Sequence, residues 1–261
     1  MDDQQPVIEL RGVTKAFGRQ RVLDDIDLAV ERGKNTVIIG RSGTGKSVLL
    51  RHIVGLLRPD RGEVFYEGQQ VDRLGERAWV PIRRQISFVF QLNALFDSMT
   101  VLENVSFPMT ENTTGRLDYK KIRALASRCL NLVGLAGFDR KRPAELSGGE
   151  KKRVALARAI AMDPPPNVIL YDEPTAGLDP QRSDVINKLI RQMQREFNVT
   201  GVIVTHDMKT TAEVADRVLV LWNGRFVADG TSDEVLNSKE PHVRRFVQGI
   251  AEPGDVVTLT T

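Results

Sequence analysis

Gly40-Arg41-Ser42-Gly43-Thr44-Gly45-Lys46-Ser47 follows the apolar run Val37-Ile38-Ile39 and leads into Val48-Leu49-Leu50-Arg51-His52-Ile53-Val54. The first run reads as a buried strand and the last as an amphipathic helix. Glycines allow the tight turn between them, successive backbone N–H groups then face inward, and the helix N-terminus adds its positive dipole end at the same point. Strand, loop and helix in register make a phosphate-binding loop whose natural guest is a triphosphate. With this spacing Lys46 reaches the β- and γ-phosphates and the Ser47 hydroxyl holds Mg²⁺.

Further on, Val168-Ile169-Leu170-Tyr171-Asp172-Glu173 is an apolar strand that ends in two adjacent carboxylates. Neighbouring strand side chains point to opposite sides, so the pair can separate in role. Asp172 is expected near Mg²⁺, and Glu173 at the strand exit is placed to orient or deprotonate an attacking water. Such pairs also act as simple helix caps, and it is the phosphate loop upstream that turns this one toward chemistry. Leu146-Ser147-Gly148-Gly149-Glu150 precedes a helical run from Lys151 to Ile160. Ser147 suits an N-cap, and the two glycines leave backbone N–H groups open to an anion. Spacing alone does not say which phosphate they meet.

Around these motifs the chain alternates short strands with helices, as a mostly parallel α/β sheet requires. Strands are predicted at Val37 to Ile39, Ile86 to Phe90, Val168 to Tyr171, Gly201 to Thr205 and Arg217 to Leu221, with helices from Lys46 to Leu57 and from Gln181 to Phe197. Val7 to Val13 and Val22 to Val30 read as antiparallel strands at a sheet edge. Asn223-Gly224 turns a terminal hairpin into Phe226-Val227-Ala228. Between Leu92 and Met162 the periodicity is helical, at Tyr119 to Val133 and Gly148 to Ile160, and a stiff Asp163-Pro164-Pro165-Pro166 connector closes that stretch. The expected organisation is one domain over residues 1–261. Residues 1–91 and 163–240 form its core, 92–162 an inserted helical subdomain, and 241–261 a C-terminal helix and a tail from Ala251 to Thr261.

Composition narrows the function classes. With 41% hydrophobic residues among 261, the chain can bury a real core. Its 37 basic and 34 acidic residues leave a net charge of +3, which is not the footprint of a dedicated nucleic-acid binder. Cys129 is the single cysteine, so an intrachain disulfide is excluded. The acidic, polar start from Met1 to Pro6 lacks the order of a signal peptide, and no apolar run approaches the roughly 20 residues that span a bilayer. A membrane role would have to come through a partner. His52 and His242 fit no motif, and structural or surface roles are the default for both.

Taken in order, a Walker A loop, Gln91 after the following strand, an LSGG-type signature, a Walker B ending in Asp172-Glu173, a Gly177-Leu178-Asp179 loop and a lone His206 after a strand resemble the ATP-binding cassette family. The resemblance covers nearly the whole chain. It implies a P-loop NTPase fold with a RecA-like mixed sheet core, an antiparallel β subdomain and an inserted helical subdomain, and it implies ATP and Mg²⁺ as cofactors. It further implies a head-to-tail homodimer in which Ser147, Gly148 and Gly149 of one subunit complete the site built by Gly40, Arg41, Ser42, Gly43, Thr44, Gly45, Lys46, Ser47 and Val48 of the other. By the same resemblance Phe17 stacks on adenine, with a core phenylalanine as the rival reading. Gln91 senses Mg²⁺ and the attacking water, His206 touches the γ-phosphate, and Asp179 lies in the loop that couples the two sites. Catalysis is thereby assigned to Glu173, His206, Gln91 and Lys46, and the metal to Ser47, Gln91 and Asp172. Two positions depart from the family pattern. Glu150 stands where Gln is commoner, and it is expected to face the helix surface near Lys151 or Arg153. Val48 replaces a frequent Thr, with packing consequences only.

The loop through Leu50 and the segment from Phe90 to Pro108 resemble the ATPases of bacterial MCE/Mla-type lipid transporters. Arg244 to Ala251 is similar to that subfamily as well. The implied protein is the ATP-hydrolysing subunit that drives phospholipid movement across a Gram-negative envelope and maintains outer-membrane lipid asymmetry. It would sit peripherally on the cytoplasmic side of the inner membrane. Its partners would be an integral membrane permease, an MCE-domain substrate-binding protein and a small cytoplasmic accessory subunit, without nucleic acid. The apolar cluster of Ala94, Leu95, Phe96 and Phe107 is expected to form the groove that receives the permease. Rival readings are an amino-acid or ion importer cassette and a non-transport regulator of cell-wall hydrolysis.

Overall fold

Strands β1 (Ile8–Phe17) and β2 (Gln20–Val30) open the chain as an antiparallel pair, followed by β3 (Asn35–Ile39), whose five residues are all buried. The structure is a computed structural model that describes residues 5–112 and 118–250; Met1 to Gln4 and the tail expected from Ala251 to Thr261 lie outside the described residues. Helix α1 (Lys46–Ile53) follows the glycine-rich loop, and then come β4 (Arg61–Tyr66), β5 (Gln69–Gln70), α2 (Glu76–Arg83) and β6 (Ile86–Val89). Three helices come next, α3 (Val101–Asn112), α4 (Tyr119–Leu132) and α5 (Gly148–Ile160), with a single 3₁₀ turn at Pro143–Glu145. The chain returns through β7 (Val168–Asp172), α6 (Pro180–Phe197), β8 (Thr200–Thr205), α7 (Met208–Val214), β9 (Arg217–Trp222) and β10 (Arg225–Gly230), and ends in α8 (Ser232–Leu236) and α9 (Pro241–Val247).

The main sheet has the order β10-β9-β3-β8-β7-β6, parallel except for β10. Both faces are covered, which explains why its central strands are continuous apolar runs. On β3, Val37 and Ile39 join the core shared with α5 and α6, whereas Ile38 joins the core under α1 and the antiparallel sheet. Residues of α3, α4 and α5, including Val105, Leu130 and Val154, extend the first core outward. Cys129 is buried there, its thiol pushed up to about 11 by burial, which suits packing rather than reactivity.

The first two strands pair antiparallel as expected and build the antiparallel sheet β2-β1-β4-β5, with β2 at its edge and β1 between β2 and β4. The expected helix from Lys46 to Leu57 stops at Ile53 because Gly55 takes a φ of 68°, and the Leu56 and Leu57 N–H groups fold back on the Arg51 carbonyl. Strand β4 and helix α2 were not foreseen. The charged, glycine-containing start of β4 masks its alternation, and α2 carries Pro81 in its interior.

Candidate functional site

Parallel strands bring their C-terminal ends to one edge of the sheet, and ligands of such sheets bind beyond that edge. In register, Ile39 lies beside Thr205 and Val220, Asp172 beside Val204, and Val89 beside Tyr171. The loop after β3, the acidic pair after β7, His206 after β8, Gln91 after β6 and Trp222 on β9 therefore converge, although more than 180 residues separate the first from the last.

The loop wraps the N-terminus of α1. A side chain at Gly40 would run into the Leu221 carbonyl, and Gly45, the N-cap residue, has a φ of 102°, which only glycine adopts readily. Lys46 is buried, and its ammonium donates to the carbonyls of Gly40 and Arg41 at 2.6 and 2.9 Å. It also lies 3.7 Å from Glu173 Oε1. Burial drives its pKa down, against the pull of Glu173 and Asp172. A polyphosphate in the loop adds negative charge where this buried cation needs it.

Ser47 Oγ donates to Asp172 Oδ1 at 2.8 Å, joining the first helical turn to the end of β7. Burial raises the Asp172 carboxyl above its ordinary range, the Ser47 hydrogen bond opposing. A hydroxyl and one carboxylate make a hard oxygen set, which fits Mg²⁺, an ion that takes few protein ligands and completes its shell with phosphate and water. Consistently, no cluster of three or more His, Cys, Asp or Glu side chains that could hold a metal exists among the described residues. Glu173 has a left-handed φ of 49° and is buried. Its Oε2 accepts from Thr205 Oγ1 at 3.2 Å and lies 2.9 Å from Nδ1 of His206, whose side chain is 61% exposed. This contact engages Nδ1, and His206 lines the cleft described next.

A cleft of about 1000 Å³ opens over these groups, lined by Phe17, Arg41, Ser42, Gly43, Gly45, Lys46, Ser47, Val48, Gln91, Glu173 and His206. Phe17 is 48% exposed on its wall, so it is not a core residue, and Lys15 Nζ sits 5.6 Å above its ring. Gln91 presents its side chain at the cleft without a hydrogen bond to Ser47 or Asp172, and its carbonyl is held by Lys152. Gly40, Thr44 and Asp172 stand behind the lining; Thr44 Oγ1 closes the loop on the Arg41 carbonyl at 2.9 Å.

Ser147, Gly148, Gly149 and Asp179 do not join this cleft. Ser147 and Gly148 are exposed at the start of α5, and Asp179 caps α6 through the N–H groups of Gln181 and Arg182. Glu150 lies at the helix surface within the field of Arg153, as expected. Its carboxylate folds back onto the Ser147 N–H at 2.7 Å while its own N–H donates to Ser147 Oγ, forming a capping box that holds its carboxyl below the ordinary range.

Sequence reasoning missed several groups. Trp222, one residue past the strand predicted to end at Leu221, lines the cleft, with Arg41 5.7 Å from its ring and His242 stacked at 5.3 Å. Phe246 and Ile250 line the cleft beside it. The buried Lys152 had no signal at all, since it sits in a run of three basic residues that reads as a solvated face. His52 behaves as expected of a structural residue, with Nδ1 2.7 Å from the Val48 carbonyl. A second cleft of about 940 Å³, between α2, α4 and the connector from α5 to β7, contains none of the motif residues.

Comparison with known proteins fits this geometry. The family model described as ABC transporter matches residues 23–176. This chain belongs to the ABC transporter family. As a cassette of that family it is an ATPase, and its fold is that of the solved cassettes. The dimeric cassette MJ0796, in a post-hydrolysis state bound to ADP and Pi, superposes with a TM-score of 0.78 at 33% identity, covering 86% of this chain and 98% of that one. The cassette is 38% identical over 245 residues to the intermembrane phospholipid transport system ATP-binding protein MlaF of Haemophilus influenzae, 94% of this chain and 91% of that protein. It is 39% identical to a probable ribonucleotide transport ATP-binding protein, mkl, of Mycobacterium leprae, over 93% of this chain and 69% of that one.

Proposed function

We propose that this cassette powers phospholipid transport through a membrane permease, working as a homodimer that closes on ATP and reopens after hydrolysis. The observation that carries the chemistry is Glu173, held between Lys46, Thr205 and His206 beside the Ser47–Asp172 pair. Water attacks the γ-phosphorus, the bond to the β-phosphate oxygen breaks, and ADP and phosphate leave. Glu173 orients the water and takes its proton, Lys46 holds the β- and γ-phosphates, and His206 meets the γ-phosphate. Ser47, Asp172 and Gln91 would hold Mg²⁺, which would supply neutralisation of the phosphate charge. Phe17 stacks on adenine. The first turn of α5, where Ser147 and Gly148 are exposed and Gly149 follows, meets the nucleotide of the other subunit, with Asp179 in the adjoining loop.

The cargo assignment rests on likeness to MlaF, which extends over 91% of that protein, against 69% of mkl. Among the described residues no helix is long and apolar enough to cross a membrane, so a permease supplies the path. Its docking site is the surface beyond Gln91, where Leu92 is 87% exposed and the rings of Phe96 and Phe107 meet at 4.6 Å. Leu95 instead packs against the core. The remaining partners in this reading are an MCE-domain protein and a small accessory subunit, and the place is the cytoplasmic face of an inner membrane.

The test is affinity purification of the tagged chain from detergent-solubilised membranes. Recovery of a multi-span permease with an MCE-domain protein is expected. A different permease, or a hydrolase regulator without any transporter, overturns the cargo and leaves the ATPase standing. Phe96→Asp or Phe107→Asp is expected to abolish co-purification of the permease while ATP affinity stays intact, and joint loss of both would make these rings mere core.

A further inference from the structure

One buried cation has no part in the chemistry above. Lys152, on α5 just past the capping box, is 4% exposed. Its ammonium donates to the Gln91 carbonyl at 2.6 Å and to the Glu173 carbonyl at 3.3 Å. Burial pushes its pKa down, while the Glu173 and Asp172 carboxylates pull the other way. A buried charge is retained only where it is well partnered. Here both hydrogen-bond partners are backbone oxygens, and they belong to the two residues assigned to water activation, reached by separate strands.

Arg158, two turns further along α5, repeats the pattern. It donates to the carbonyls of Asn93 and Ala94, each at 2.7 Å. Asn93, Ala94 and Glu173 all have left-handed φ values, 65°, 47° and 49°. Non-glycine residues stay in that region only when their surroundings hold them there. Both segments are thus held from one helix, and the first turn of that helix carries Ser147 and Gly148.

We propose that Lys152 is a positioning residue that sets Gln91 and Glu173 relative to the first turn of α5, so that docking of this turn on a partner's nucleotide and placement of the water-activating groups occur together. The proposal rests on the roles given above to Gln91 and Glu173. A tether of this kind acts on turnover and leaves ground-state nucleotide binding alone, because Lys152 does not line the cleft.

The experiment measures steady-state hydrolysis and ATP binding of the purified full chain carrying Lys152→Met, Lys152→Arg, Gln91→Ala, Glu173→Gln and the Lys152→Met/Gln91→Ala double change. Lys152→Met is expected to lower kcat about 10-fold or more with ATP Kd within about 3-fold, since misplacement by an ångström is enough for such a loss. Lys152→Arg, which keeps the donors, recovers most of the rate. In the Gln91→Ala background Lys152→Met should cost clearly less than it does alone, a coupling that general destabilisation would not produce. A kcat within about 2-fold of the parent, or equal losses in both backgrounds, overturns the proposal. If Lys152→Met fails to fold, Lys152→Gln, one bond shorter, is read by the same criteria. Near-normal hydrolysis by Glu173→Gln would overturn the reading beneath the proposal. A stalled Glu173→Gln beside an unaffected Lys152→Met overturns the proposal alone.

Discussion

At the C-terminal edge of the parallel sheet the functional side chains bond to one another across three strands, whereas at the first turn of α5 they bond only within their own turn. Ser47 bonds Asp172, and beside that pair Glu173 joins Lys46, Thr205 and His206, most of these groups being buried. Ser147 and Glu150 satisfy each other through the capping box, and Ser147 and Gly148 are exposed at its start. A group of buried polar side chains must be mutually satisfied inside the chain that buries it. An exposed turn with satisfied caps and free glycine backbone is suited to a surface that arrives from outside. In the proposed reading, the difference separates a half-site that is finished from one that a partner completes.

Breaking the finished region should have the largest effect. Glu173→Gln is expected to reduce hydrolysis by about 10²- to 10⁴-fold while ATP still binds, the range for loss of a general base. The ATP-loaded variant should run as a dimer in light scattering after size exclusion, and a monomer there would break the link between the two regions. Next, Ser147→Arg should reduce hydrolysis by about 10²-fold, the order found when a transition-state contact is lost. Nucleotide affinity of the isolated chain should not change, because Ser147 lies outside the cleft; a parallel fall in affinity would erase the contrast.

Smaller changes sharpen it. Phe17→Ala removes one stacking face and should raise ATP Kd about 3- to 10-fold, as loss of an aromatic pair worth about 1 kcal/mol implies, with kcat unaffected. The mildest effect belongs to Glu150→Gln, with a Tm fall of a few degrees at neutral pH, about what loss of part of a cap produces. The folded-state pKa of Glu150 lies below its ordinary value of 4.5, with hydrogen bonds from Ser147 as the largest cause. Its contribution is therefore full above that value and is lost as the pH falls through the lower folded one. Parent and variant Tm should converge on acidification. A gap that persists at pH 3 would mean that the charge is not what stabilises the turn.

Legibility in the sequence followed local chemistry. The loop from Gly40 to Ser47, the strand ending in Asp172-Glu173 and the helix opened by Ser147 are each specified within a few residues, by glycine conformations, apolar runs and caps. The same holds for most strands of the main sheet. Strand β4 was hidden because only Val64 and Tyr66 are buried among its charged and glycine residues, so its pairing with β1 is decided by the sheet and not by its own pattern. Trp222 carried no signal of its own, since it merely follows an apolar strand, yet it lines the cleft. Glu150 looked like a surface charge until the capping box accounted for both of its contacts.

The sequence by itself determined the phosphate loop, the acidic pair and the alternation of strands and helices, since each depends on short-range sterics and hydropathy. Only the tertiary structure decided that Glu173 lies between Lys46 and His206, that β4 pairs with β1 in the opening sheet, and that Lys152 reaches Gln91 and Glu173. Those contacts join residues far apart in the chain. Their geometry is set by strand register and core packing, which no local pattern encodes.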